Sequence, residues 1–362
     1  LASKRKQEEF MTSTTYRVGF IGVGRPQNTE GTTGFGMAHF HADGYVKSGR
    51  CTLAACADLS EDNAKAFADK HGIPKTYTDY QEMLAAEELD IVSVCTWPHQ
   101  HAPIILDAAR SGRVKAIHSE KPMATNWGDA KEMVRVCDEH GVQLTFNHQR
   151  RFLGPFQIAK KLLDEGAIGK LVQLQGNCSD LYDWGTHWLN MFFYYRNEMP
   201  ASWVMAQIDS RKDHTIFGVA MESQGLCEFQ FTDGVRAFLT TGEHSHEGAA
   251  HRLLGTEGIL EVLWDAPYLR LLNGTSGGWK VIEQQDDLHN WVAIDRGIAD
   301  VLDAIGSGRD SLLSAKYALQ STEIIFAAYE SSRRRARIDL PLTVNDNAFF
   351  AMLSDGLISP GV

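Results

Sequence analysis

Between Arg17 and Asn147 the chain repeats one unit, a short apolar run followed by a helix-like segment, and few folds accept that pattern. The runs RVGFIG, LAACAD, DIVSVCT and KAIHSE are continuous rather than alternating, as strands buried on both faces are. After the last of them Ala130, Met133, Val134 and Cys137 follow the i, i+3, i+4, i+7 spacing of an amphipathic helix, and VQLTFN returns to strand. Parallel strands need a crossover between them, so the alternation predicts a doubly wound parallel sheet with helices on both faces. This Rossmann-type N-terminal domain is expected over residues 16–148.

Beyond Arg151 the character changes. LVQLQGNC, GLCEFQF, VRAFLTTG, GILEVLW and YLRLL read as strands, several separated by short turns such as Thr232-Asp233-Gly234. Helices are expected from Trp184 to Tyr195 and from Ser314 to Arg335, the second with Ala315, Ala318, Leu319 and Thr322 on one face. The prediction for residues 149–342 is an α/β domain built on a mainly antiparallel sheet. A length of 362 residues suits two such domains better than a single core.

Composition narrows the partners. The net charge of −11 disfavours nucleic-acid backbones and anionic membranes, and leaves a small metabolite as the expected ligand. The six cysteines form no C-x-x-C pair, which points to reduced thiols and a cytoplasmic setting. Residues 1–15 form a polar extension without the apolar stretch of a secretory signal, and no run reaches transmembrane length.

The first strand ends in Gly22-Val23-Gly24, the first two glycines of a G-x-G-x-x-G phosphate turn. The insertion RPQNTEGTTGF then precedes Gly36, which stands at the opening of the first helix and takes the third glycine's place. The longer loop brings Arg25 or Thr33 towards the ligand. Asp58 ends the next strand 22 residues after Gly36, where a carboxylate accepts hydrogen bonds from an adenosine ribose diol. Leu59 and Ser60 supply no charge for a 2′-phosphate, so NAD is expected over NADP. A helix-capping Asp58 is the alternative reading.

Three segments fall where such a sheet places ligands, beyond strand carboxyl ends. Thr96, Trp97 and His101 belong to the first, Glu120, Lys121 and Pro122 to the second, and Asp183, Trp184 and His187 to the third. Thr96, Trp97, His101 and Glu120 are expected beside the cofactor. Lys121 can donate to a substrate hydroxyl and favour developing alkoxide. Asp183 and His187, four apart, would share one side of a helical turn, the carboxylate orienting an imidazole that takes the hydroxyl proton. The same spacing also suits an N-capping Asp183 with a packed His187. His148, Arg150 and Arg151 follow a strand and can face the cleft, an arginine there holding a substrate carboxylate, sulfonate or hydroxyl array. Tyr182 and Trp184 suit stacking on a sugar ring. The pairs His39/His41, His99/His101 and His244/His246 do not gather ligands on a helix, so no metal is expected.

With these motifs the chain resembles the Gfo/Idh/MocA family, the glucose-fructose oxidoreductase and inositol dehydrogenase group. The likeness runs from about Arg17 to Leu342 and rests on Glu120-Lys121-Pro122 and on Asp183, Gly185 and His187 in D-x-G-x-H. It implies a large open sheet in the second domain, homo-oligomers (dimer or tetramer) assembled through it, and Lys121, Asp183 and His187 as the catalytic set. The implied activity is NAD-dependent oxidation of a secondary hydroxyl on a sugar, polyol or sugar derivative. The alternative keeps the site but cleaves a glycoside by transient oxidation, elimination, water addition and rereduction. Three positions depart from the family pattern: the phosphate loop is longer, Trp97 stands where proline is more common, and Asn190 where an aspartate is frequent.

Overall fold

The computed structural model describes residues 15–32, 34–210, 214–243 and 245–359. Thr33 and His244 lie outside them.

Six parallel strands form the first sheet in the order β3-β2-β1-β4-β5-β6, with β1 Tyr16–Ile21, β2 Cys51–Ala57, β3 Thr76–Tyr77, β4 Ile91–Val94, β5 Ala116–Ser119 and β6 Gln143–Phe146. The central strands are apolar throughout because both faces are covered; Val18, Phe20, Ile91 and Val94 have no exposed surface. The crossovers are α1 Met37–Lys47, α2 Glu61–His71, α3 Tyr80–Ala86, α4 His101–Arg110 and α5 Trp127–Glu139. Polar caps start several of them: Ser60 accepts the Asn63 N–H, Asp79 that of Gln81 and Asn126 that of Asp129. The strand order reverses between β1 and β4, so the loops after these two strands diverge and leave a crevice at their carboxyl ends.

A nine-stranded, mostly antiparallel sheet forms the second half, in the order β16-β15-β14-β13-β7-β12-β11-β8-β17, with β7 and β12 its parallel pair. Its strands are β7 Leu171–Cys178, β8 Ala201–Asp209, β11 Gln224–Phe231, β12 Arg236–Thr241, β13 Ala249–Gly255, β14 Gly258–Leu263, β15 Leu269–Asn273, β16 Lys280–Val281 and β17 Ile338–Asp339. A separate small hairpin, β9 Thr215–Ile216 and β10 Val219–Ala220, projects from it. The two expected helices are α7 Gly185–Tyr195 and α9 Ala315–Arg334, and they are joined by α6 Gly154–Asp164, α8 Val292–Ser307 and α10 Ala348–Ser354.

The long helix α9 packs on α5, α7 and β8, bridging the two sheets. Helix α8, though late in the chain, returns to the first sheet: its Ile294, Ile298 and Leu302 join the core of Val18, Phe20 and Tyr45. Among the described residues no helix is long and apolar enough to cross a membrane.

Candidate active site

The crevice at the end of β1 is shaped by its glycines. Gly22 has φ +78°, and a Cβ there would lie 2.4 Å from Thr96 Cγ2 and 2.9 Å from the Thr96 backbone nitrogen. Glycine is therefore required where the two strand ends meet. Gly24, at φ +53°, would direct a Cβ into open space within the cleft, a cradle that lets the backbone approach a pyrophosphate. Gly36 caps α1 in the left-handed conformation with its Cα facing the Arg25 carbonyl, so it folds the insertion back on itself. The hydroxyl of Thr96, which also lines the cleft, is buried without a hydrogen-bond partner.

Asp58 ties this turn to the next helix. Its carboxylate accepts the Gly24 N–H and the Ser60 N–H, each at 2.9 Å, while Ser60 itself caps α2. Half-exposed, Asp58 retains lone pairs for ribose hydroxyls. Arg25 sits beside it, donating from Nε to Asn63 Oδ1 at 3.0 Å and from Nη1 to the Glu30 carbonyl at 2.7 Å. Trp97 lines the cleft and carries the tip of the β9–β10 hairpin, where a Cβ on Gly218 would meet its ring at 2.9 Å. Phe217 at that tip meets Phe35 of the inserted loop edge-on, ring centroids 5.9 Å apart. The hairpin thus spans from the second sheet to both phosphate-side loops. These glycines, the unpartnered hydroxyl and the half-exposed carboxylate fit a dinucleotide.

At the other end of the cleft Lys121 Nζ donates to Asp183 Oδ1 at 2.6 Å. Asp183 precedes α7, and its N–H is held by Asp180 Oδ1 at 2.5 Å. His187, on the first turn of α7, faces the same space, but its Nδ1 is buried without a partner. Asp183 is therefore engaged with Lys121 and does not orient the imidazole as expected; two residues outside the helix, its side chain does not follow the helical i, i+4 geometry. Burial first, then the positive charges of Lys121 and Arg150, hold the His187 imidazole well below its ordinary pKa. It stays neutral at neutral pH.

Several expected site residues serve the framework instead. Glu120 touches the cleft, but its carboxylate is held by His41 at 2.9 Å and Asn147 at 2.7 Å and accepts the Lys121 N–H at 3.2 Å, so it positions the lysine backbone. His101 lies behind the wall, its ring nitrogens 3.0 Å from the Pro122 carbonyl and 3.1 Å from that of Thr96, joining the loops after β4 and β5. His148 pairs with Thr186 Oγ1 at 3.0 Å and supports His187 edge-on. Tyr182 is buried with its hydroxyl on the Ala124 carbonyl at 2.9 Å. Arg151 has no exposed surface and is bound by Asn190 and by both oxygens of Glu198. Of the substrate candidates Trp184 and Arg150 open into the cleft.

Residues 16–148 match the model of the GFO_IDH_MocA oxidoreductase family, described as an NAD-binding Rossmann fold. The match covers the N-terminal domain, the part of the chain that carries the glycine turn and Glu120-Lys121-Pro122. Among curated relatives it is similar to the myo-inositol 2-dehydrogenase of Thermotoga maritima, with 28% identity over 42% of each chain. It is also similar to a D-xylose 1-dehydrogenase (NADP(+)) of Haloarcula marismortui, with 26% identity over 73% of this chain and 78% of that one. The match spans well under half the length of the first of these. A solved levoglucosan dehydrogenase, in complex with NADH and levoglucosan, shares the fold at a TM-score of 0.78, with 18% identity over 91% of this chain and all of that one.

The cleft also contains residues that lie outside the motifs. Of the two arginines expected to face the cleft, Arg150 lines it and Arg151 does not; adjacent residues on the turn after β6 point in opposite directions, and no sequence signal reveals which one enters. His289 and Phe217 reach it from loops of the second half, far from any motif. Among the paired histidines, His39 meets His71, His99 meets Trp97 and His246 meets Trp264.

Proposed function

We propose that this chain is an NAD-dependent dehydrogenase that oxidises a secondary hydroxyl of a sugar, polyol or sugar derivative. One observation carries the reading: the Lys121–Asp183 pair and the unpartnered, neutral imidazole of His187 open into the same cleft as the glycine turn. Bound there, a nicotinamide ring supplies the hydride acceptor. Lys121, steadied by Asp183, donates a hydrogen bond to the reacting oxygen and stabilises negative charge on it. The His187 imidazole accepts the hydroxyl proton as the carbon loses its hydrogen with both electrons and becomes a carbonyl. Its depressed basicity suffices because that hydroxyl becomes far more acidic as the hydride departs. The relatives named above are dehydrogenases, which favours net oxidation over glycoside cleavage.

NAD is the favoured cofactor because Asp58 opposes a ribose phosphate and the Arg25 guanidinium beside it is already engaged. The test saturates the protein with each cofactor in turn, supplies a panel of sugars, polyols, sugar acids and glycosides, and follows NADH or NADPH together with released sugar. NADH should accumulate, and His187→Ala and Lys121→Ala should each lower turnover by roughly 10²–10⁴-fold with cofactor affinity little changed. Sugar release without NADH would overturn the reading, and tighter binding of NADP than NAD would overturn the cofactor choice.

A further inference from the structure

Arg150 and Arg151 are neighbours on one turn with opposite surroundings. Arg151 is saturated: Nε donates to Asn190 at 2.6 Å, the Nη atoms grip Glu198 at 2.6 and 3.2 Å, and Tyr194 and Tyr317 cover its faces. Arg150 is only 8% exposed, yet its Nε has no hydrogen-bond partner, and its guanidinium makes no ion pair among the described residues. The acidic group that influences it is Asp287, by charge alone and against the larger effect of burial. The guanidinium lies over the Trp184 ring, 5.4 Å from its centroid, in the same cleft as Lys121, His187 and His289.

The charges at this end of the cleft do not balance. Lys121 is neutralised by Asp183. Burial holds His187 and His289 below the ordinary imidazole range, so both are uncharged at neutral pH. Arg150, held down to about 10 by burial, remains protonated. One unit of positive charge is left, buried against an aromatic ring and without a counter-ion. An unpaired buried cation is costly, and a ligand anion recovers much of that cost, which a neutral hydroxyl cannot do. A planar fork with one net charge matches a carboxylate; a dianionic phosphate would leave charge uncompensated.

We propose that Arg150 is a specificity-determining residue that holds a carboxylate of the substrate, so the site takes sugar or polyol acids, uronates or aldonates, in preference to their neutral counterparts. This rests on the dehydrogenase reading only for which hydroxyl reacts; the anion site itself is independent of it. Trp184 holds the guanidinium over its ring face, and Lys121 and His187 then address a hydroxyl on the same molecule.

The experiment titrates the NAD-saturated protein calorimetrically with D-glucuronate, D-galacturonate and D-gluconate against D-glucose, D-galactose, D-glucitol and D-glucose 6-phosphate, with NADH followed in parallel. At least one acid should bind about tenfold or more tightly than its neutral partner, the scale of a buried charge-assisted pair. Arg150→Met should abolish that preference and Arg150→Lys retain part of it, with NAD affinity preserved in both as proof of folding. Equal binding of acids and neutral sugars, tighter binding of the phosphate, no binding by any of them, or acid preference surviving in Arg150→Met overturns the proposal. Acid binding without NADH would support the anion site and sink the dehydrogenase reading. NADH formed equally from neutral sugars would do the reverse.

Discussion

His187 shows how a single residue's behaviour depends on neighbours that its motif does not name. The D-x-G-x-H spacing suggests a carboxylate bound to the imidazole, a partner that would raise its pKa. Instead Asp183 bonds Lys121, and the imidazole is left to burial and to the cations Lys121 and Arg150, all of which lower it. Because its folded pKa is depressed, the neutral form persists as pH falls through 6.5, and its share of folding stability is lost only on the acid side of that value. In the protein labelled at histidine carbons, the His187 resonance should not titrate between about pH 8 and 6, the span centred near the free imidazole. A midpoint near 6.5 would show that Asp183 reaches the ring after all. Arg150→Met, by removing one cation, should shift the midpoint upward.

At the level of elements, the β9–β10 hairpin is the piece that joins the two halves over the cofactor side of the cleft. Its tip places Phe217 at φ 52° and Gly218 at φ 71°, and the glycine's missing Cβ makes room for the Trp97 ring. Two strands of two residues each hold little stability of their own, so the contact with Trp97 and Phe35 fixes where the tip lies. Gly218→Val combines a β-branched residue at positive φ with a clash, costing about 1–2 kcal/mol from the backbone alone. It should raise the NAD dissociation constant about tenfold or more, as measured by cofactor titration, while the melting temperature moves by only a few degrees. Unchanged NAD affinity in a folded variant would remove the hairpin from the cofactor site. The sequence contains this turn as Phe217-Gly218, but its partner Trp97 lies 121 residues away, beyond the reach of local pattern.

For the whole molecule the open question is what covers the outer face of the nine-stranded sheet. Helices α6, α7 and α9 pack against one face. On the other, Met205 of β8 and Leu226 of β11 are 53% and 54% exposed, with Trp203 and Phe238 half-buried on the same side by strand alternation. The same face carries Glu261, buried between Arg252 and Arg270, an ion triad with one positive charge in excess. This arrangement supports a homo-oligomer formed sheet to sheet, a self-complementary contact. Light scattering during size exclusion should give at least a dimer, and the pair Met205→Glu with Leu226→Glu should shift it to monomer while leaving NAD binding intact. A monomeric parent protein would overturn this.

What the sequence by itself determined is the part governed by local and periodic physics. Continuous apolar runs separated by helical spacing dictate a parallel sheet, the glycine turn dictates a close backbone approach, and Lys121, Asp183 and His187 announce their cleft because each follows a strand or opens a helix at a ligand-bearing edge. Tertiary structure decided the pairings. It engaged Asp183 with Lys121, enclosed Arg151 in Glu198 and Asn190, and left its neighbour Arg150 as the unpaired cation. It drew α8 back to the first sheet and moved His101, His148 and Tyr182 behind the wall they support. The physical reason is that patterning follows spacings of a few residues along the chain, whereas a side chain's partner is set by which distant segments pack around it, and burial then decides its charge.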